Sequence, residues 1–224
     1  MELTLAPSRD NLASPAKETI REIFDAVAPR YDGINRLLSF HLDEGWRSRA
    51  GVGTGKFLGQ FLKKQTWRLA AGIDFSGPML GRARQSLPGD CRLVQADIHD
   101  IPFESEAFDL VVSSFTLRSV KDRPRFFKEV RRALRPSGKA AFLCLTRPTS
   151  VLGRMLYAPY LKFYLPFIGG LISENRTAYQ FLSQSIQNFP APPEIGRELE
   201  SAGFHTIQIR PLTFGISTLI QARK

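Results

Sequence analysis

The residues best suited to chemistry are a glycine-rich turn, Gly51-Val52-Gly53-Thr54-Gly55, and two aspartates beyond it, Asp74 and Asp97. Glycine lets backbone approach a ligand closely, and a following helix N-terminus offers N–H groups that no helical carbonyl uses. Asp74 stands 19 residues after Gly55, at the end of the apolar run "RLAAGIDFS". A carboxylate there can accept both hydroxyl hydrogens of a ribose. Asp97 closes the next apolar run, "CRLVQAD", and is placed to accept from an adenine amino group. A dinucleotide fingerprint needs glycine one position after Gly55, where this chain has Lys56. The spacing therefore favours an S-adenosylmethionine-type ligand over a dinucleotide. The glycine turn alone is a weak signal, and the aspartates have a plain alternative as helix caps and solvated turn residues.

The elements that must position these groups follow from periodicity. Residues 16–50 read as helical, with Ile20, Ile23, Phe24 and Val27 at helical spacing until Pro29, and a further helix is expected over 56–64. Next come a strand ending at Asp74, a helix at "GPMLGRARQSL", a strand at "CRLVQAD" and a turn at "IHDIPF". "AFDLVVSSF" (107–115) is the clearest candidate for a buried strand, and "RPRFFKEVRRALRPSGKAAFLCL" predicts helix, Pro-Ser-Gly turn and strand. This alternation predicts an α/β fold with a doubly wound, mostly parallel sheet whose strand ends bind the ligand. "PPEIGRELESAGF" should be a helix closed by Gly203, followed by an antiparallel hairpin over 205–224. With no repeat and no linker, 1–224 is expected to form one domain, with 1–15 loose and 151–189 a helical insertion covering the substrate.

Composition narrows the classes. With 43% hydrophobic and 23% charged residues the chain suits a globular domain. A formal charge of +10 fits nucleic acid or an anionic membrane, but no zinc-finger spacing or aromatic RNA-binding motif accompanies it, so nucleic acid is not expected. Cys91 and Cys144 lie far apart without metal-site spacing, and His41, His99 and His205 show no ligand pattern. No metal is expected, and a reducing cytoplasm is the natural setting. The apolar stretch 151–172 carries Arg154, Lys162, Pro159, Pro166 and Gly169-Gly170. Charges and breakers of that kind argue against a membrane span and for broken helices that roof a pocket and touch the membrane surface. A buried connecting layer with no lipid role is the plainer alternative.

"FDAVAPRYDGINRLLSFHLDEGWR" (24–47) resembles the opening signature of the ubiquinone/menaquinone biosynthesis C-methyltransferases. "GVGTG", "GIDFSGPML", "QADIHDIPF", "SSFTLRSV", "RALRPSGK" and "LSQSIQNFP" match in the family's order, so the likeness runs from about residue 20 to 215. It implies a Rossmann-like class I S-adenosylmethionine-dependent methyltransferase acting on a ring carbon of a polyprenylated quinol. It further implies cofactor contacts from Gly51, Gly53, Thr54, Gly55, Asp74, Asp97, Ile98 and Ser114, and Tyr31, Arg118 and Ser119 at the reacting ring. Tyr31 would hold the quinol oxygen, with Asp32 orienting its loop. Arg118 is too basic for an ordinary neutral base and is assigned to stabilising the developing phenolate or orienting a water. The plain alternatives are a half-buried core tyrosine and a surface cation. Peripheral contact with the inner face of a membrane is expected, and a homodimer is left open.

The chain departs from the family at three places. Ser119 stands where relatives carry Asn, so one hydroxyl replaces an amide donor and acceptor. The ending "ISTLIQARK" lacks the family's histidine. Between "WRSRA" and "GVGTG", relatives carry a loop and a central strand that this sequence lacks. Removing a central strand leaves both neighbours with unpaired backbone groups, at about 1–3 kcal/mol each. Either the working protein carries a stretch absent from this sequence, or this relative has a repaired sheet and weakened cofactor binding. A catalytically silent subunit of a quinone-biosynthesis assembly, or a methyltransferase for another small lipid or aromatic, are the competing functions.

Overall fold

The computed structural model describes residues 70–89, 91–148, 151–160, 163 and 183–224. The helices expected over 16–50 and 56–64, the glycine turn Gly51, Gly53, Thr54 and Gly55, and Tyr31 lie outside the described residues.

β1 (Ala71–Asp74) leads into α1 (Gly77–Ser86), where Ser76 caps the helix by accepting from the Met79 N–H at 3.3 Å. β2 (Arg92–Gln95) then pairs with β1 in parallel, Asp74 opposite Gln95. β3 (Phe108–Ser114) is followed by a 3-10 turn, Leu117–Ser119, and by α2 (Arg123–Ala133). Asp122 caps α2 by accepting from the Arg125 N–H. α2 buries Phe126, Phe127, Val130 and Ala133, a single helical stripe. β4 (Leu134–Leu145) is central to a four-stranded sheet in the order β3-β4-β6-β5. α3 (Val151–Pro159) and α4 (Pro192–Ser201) precede the hairpin of β5 (His205–Leu212) and β6 (Ser217–Arg223). β3 runs parallel to β4, while β6 is antiparallel to both β4 and β5.

The core lies under the four-stranded sheet. Phe127 and Phe142 are fully buried and meet edge to face at 5.4 Å, with Ile195, Leu199 and Ile220 closing around them. Each such side chain contributes about 1.5–3 kcal/mol by leaving water. α4 stops at Gly203, whose φ of +90° suits glycine, and a Cβ there would meet Arg131 Nε at 2.8 Å.

The strand and helix sequence from Ala71 onward is as expected, with three differences. The sheet is divided: β1 and β2 form a two-stranded sheet of their own, and among the described residues no strand joins β1 to β3. This is the place where the sequence reading expects a central strand to be absent. β3, expected to be buried, is only half-buried along its length apart from exposed Asp109. It pairs with β4 alone among the described residues, so its other edge lacks the neighbour that buries an interior parallel strand. The Pro-Ser-Gly turn is instead an irregularity within β4: pairing shifts from Phe108–Leu134 to Leu110–Lys139, and Ser137 bends with φ +64°.

The two sheets still share one core, because Ile73 of β1 and Ile98 and Phe103 of the β2–β3 loop pack against the cluster holding Phe126 and Phe142. Hydrogen bonds fix that loop to α2. Arg132 donates to the carbonyls of Ile101 and Phe103, each at 2.8 Å, and Glu129 accepts from the Ile101 N–H. The Arg132 guanidinium holds the Glu129 carboxyl below its usual range.

Candidate functional site

Every described site residue falls at the C-terminal end of a parallel strand or just past it. Asp74 is the last residue of β1, and its carbonyl accepts from the Ala96 N–H at 3.1 Å. That bond brings Asp97 and Ile98 to the same edge as Asp74. Ser114 ends β3, and Arg118 and Ser119 lie in the 3-10 turn just after it. Open parallel sheets bind ligands at this edge, where loops diverge and peptide N–H groups face outward.

The turn-capping alternative holds in part for both aspartates. Asp74 Oδ1 accepts from the Ser76 N–H at 2.8 Å, which tightens the entry to α1. Asp97 Oδ1 accepts from the His99 N–H at 3.1 Å and lies 2.8 Å from His99 Nδ1. These bonds shape the loops that carry the two carboxylates.

Two hydroxyls carry a clearer ligand signal. Ser114 Oγ and Ser119 Oγ are buried and, among the described residues, have no hydrogen-bond partner. A buried hydroxyl left so costs about 1–3 kcal/mol, and both lie where β3 opens into its loop. Polar ligand atoms reaching this strand end would satisfy them, so the described residues fit an adenosyl donor with an oxygen-bearing acceptor beside it.

Arg118 is half-buried, unlike the surface cation of the plain alternative, and its Nη1 donates to Ser185 Oγ at 3.1 Å. Ser185 lies among the helical residues 183–187, anchored by Ile186 at 2% exposure. The bond joins "TLRSV" to "LSQSIQNFP" across 67 residues. Sequence reasoning missed Ser185, although its motif was one of those carrying the resemblance. It also missed His99, set aside as incidental. His99 Nε2 is buried without a partner among the described residues, and Arg125 donates to its carbonyl at 3.1 Å. The available signal was its place two residues after Asp97, an Asx-turn spacing. A shallow groove between α2 and α4, lined by Arg123, Lys128, Glu194 and Arg197, shares none of these residues. Among the described residues no cluster of metal-ligating side chains occurs.

Comparison with known proteins finds a family and relatives for the chain. The ubiE/COQ5 methyltransferase family matches residues 13–224. The ubiquinone/menaquinone biosynthesis C-methyltransferase UbiE of Geotalea daltonii is 35% identical, with 92% of this chain and 97% of that protein aligned. Demethylmenaquinone methyltransferase of Staphylococcus aureus is 33% identical, with 94% of each chain aligned. The Geotalea alignment spans 228 positions but takes up only 92% of the 224 residues here, so part of that relative's sequence has no counterpart in this chain. Among solved structures, a SAM-dependent methyltransferase from Thermotoga maritima, titled a possible histamine N-methyltransferase, superposes with a TM-score of 0.63. It is 19% identical, over 92% of this chain and 99% of that one. At that identity the likeness shows the fold alone.

Proposed function

The chain belongs to the ubiE/COQ5 methyltransferase family, and on that premise we propose that it methylates a ring carbon of a polyprenylated quinol with Arg118 at the reacting ring. It is an S-adenosylmethionine-dependent C-methyltransferase, and its family works in ubiquinone and menaquinone biosynthesis. The cofactor supplies an already activated methyl group on a sulfonium. The protein's task is therefore to align donor and acceptor and to exclude water.

Asp74 would receive the ribose hydroxyls, and Asp97 with Ile98 would flank the adenine. Ser114 would meet the donor at the end of β3, and the turn formed by Gly51, Gly53, Thr54 and Gly55 would bring backbone N–H groups against it. At the ring, Arg118 would stabilise negative charge as a quinol hydroxyl loses its proton and pushes density onto the carbon. A guanidinium keeps its charge at any working pH, so it serves as an electrostatic partner and not as a neutral base. Ser119 would accept or donate one hydrogen bond at that oxygen, and Tyr31 would hold it from the N-terminal side. The observation that carries the reading is the Arg118–Ser185 bond, which ties a half-buried cation in the turn that follows Ser114 and contains Ser119, two serines whose buried hydroxyls lack a partner among the described residues.

The test is transfer of label from methyl-labelled S-adenosylmethionine to a demethylmenaquinol extract. Arg118→Ala should lower kcat about a hundredfold or more, in the range seen when one stabilising donor is removed, and Ser185→Ala should lower it less. Arg118→Ala with unchanged kcat would remove the assignment.

The divided sheet favours a second reading, in which this chain binds the donor weakly and serves a quinone-biosynthesis assembly as a silent subunit. Calorimetry with S-adenosylhomocysteine separates the two, since micromolar binding excludes the second. We place the protein at the inner face of a membrane, touching it through the apolar stretch that begins with α3, where Val151 and Met155 are 65% and 68% exposed. Among the described residues no helix is long and apolar enough to cross a membrane.

A further inference from the structure

We infer that the β5–β6 turn, Thr213–Gly215, is a second membrane-docking element whose Phe214 side chain inserts at the surface of an anionic bilayer. The inference rests on the peripheral-membrane reading above and extends it to a segment far from α3 in sequence.

Phe214 is 88% exposed, more than any other large hydrophobic residue among those described. Its exposure is enforced by the backbone. Thr213 and Phe214 have φ of +44° and +55°, a region that a β-branched or aromatic residue rarely enters. Such strain persists only where the surroundings over-determine it. Here Thr146 does so: its Oγ1 donates to the Gly215 carbonyl at 2.7 Å and its N–H to the Ile216 carbonyl at 2.9 Å. Ser217 Oγ, also buried, donates to the Cys144 carbonyl. The turn is clamped to the end of β4 and presents an aromatic ring to solvent.

The clamp also fixes where that ring lies. Thr146 follows directly on β4, and Val151 opens α3 five residues later, within about 17 Å of it even if the chain is fully extended. Val151 and Met155 are one helical turn apart on the same face of α3, and Phe163 beyond the helix is 64% exposed. The most exposed apolar side chains thus come from the turn at the Leu145–Ser217 end of the sheet and from the segment that leaves β4 at that same end. This is the same strand edge that carries Ser114 and Arg118.

Charge selects the occupant. No Asp or Glu occurs between Glu129 and Glu174 or after Glu200. Arg147, Arg154 and Arg210 are exposed in these segments. Aromatic and aliphatic tips on segments that carry exposed arginines and no acidic residue suit an anionic lipid surface, into which apolar tips insert while guanidinium groups pair with phosphates.

The experiment is flotation of the full chain with vesicles of 30% phosphatidylglycerol in phosphatidylcholine, and with phosphatidylcholine alone. The protein should float with the anionic vesicles and little with the neutral ones. Phe214→Ser should cut the bound fraction at least fivefold, and Phe214→Leu should restore most of it. Far-UV circular dichroism and thermal midpoint should be unchanged in both. Equal flotation of Phe214→Ser and the natural protein overturns the inference, as does absence of flotation on anionic vesicles. Equal binding to neutral vesicles overturns the anionic assignment. Methyl transfer to a short-tailed, water-soluble quinol is measured in parallel. Transfer without flotation defeats the docking proposal and leaves the function standing, and flotation without transfer does the reverse.

Discussion

The two sheets of this protein use the same strand chemistry with opposite results. In β4 and β6 every strand edge is paired, Phe142, Leu143 and Ile220 are at most 1% exposed, and burial pushes the Cys144 thiol up to about 12. In β1 and β2, no residue is fully buried, and Cys91 is partly exposed. Hydrophobicity does not account for the contrast, since "AGID" and "RLVQ" supply apolar residues in strand register. The difference is a neighbour. β4 has one on each side, whereas β1 and β3 each have one on a single side among the described residues. The lesson is that a parallel strand becomes core by being paired on both edges, and that apolar sequence alone leaves it half-solvated.

The strongest way to break this comparison is to fill the gap. Inserting a loop and a five-residue apolar strand between Ala50 and Gly51 should let β1 and β3 pair across the new strand. At about 1 kcal/mol net per hydrogen bond, the gain is about 5 kcal/mol. The thermal midpoint should rise by about 10 °C or more, and S-adenosylhomocysteine should bind more tightly. A midpoint that stays put would mean that the halves already complete their sheet by other means.

Paired truncations sharpen the contrast at the next level. Phe127→Ala beneath the four-stranded sheet should cost about 3–5 kcal/mol in denaturant unfolding, because it opens a cavity in rigid surroundings. Ile73→Ala in β1 should cost about 1 kcal/mol, since that side chain is already half in water. Thiol labelling offers a parallel readout: Cys91 should react in the folded protein, and Cys144 only once β4 opens. Similar costs, or equal labelling rates, would show that the two sheets are equally well built.

The smallest effect concerns the clamp between the halves. Glu129 has a carboxyl held below its ordinary value of 4.5, first by the Arg132 hydrogen bond. A lowered folded-state value adds stability above the ordinary carboxylate range, and that stability is lost as pH falls through the lowered value. Unfolding titrations below pH 4.5 should therefore show a steeper loss for the natural protein than for Glu129→Gln. Parallel curves would remove the clamp from the account.

Much of the site was legible early because its groups sit at strand ends, and strand ends are written locally. Asp74 and Asp97 each close an apolar run, and Ser114 closes "FDLVVSS". Ser185 was not legible as an anchor, because its partner Arg118 is 67 residues away and only folding brings them together. The role of His99 in the Asp97 turn was closer to hand and was missed for lack of a ligand pattern. The burial of β3 was misjudged, because a run of Val and Leu tells what a strand would bury and not whether a neighbour is there to bury it.

The sequence by itself determined the order of strands and helices, the family and the strand-end aspartates, since periodicity and turn residues act over a few positions along the chain. Tertiary structure alone decided that β3 is only half-buried among the described residues, that Arg118 is held by Ser185, and that Thr146 clamps the turn that presents Phe214 to solvent. Those outcomes depend on which distant edges and side chains meet, and that is settled only when the chain closes on one core.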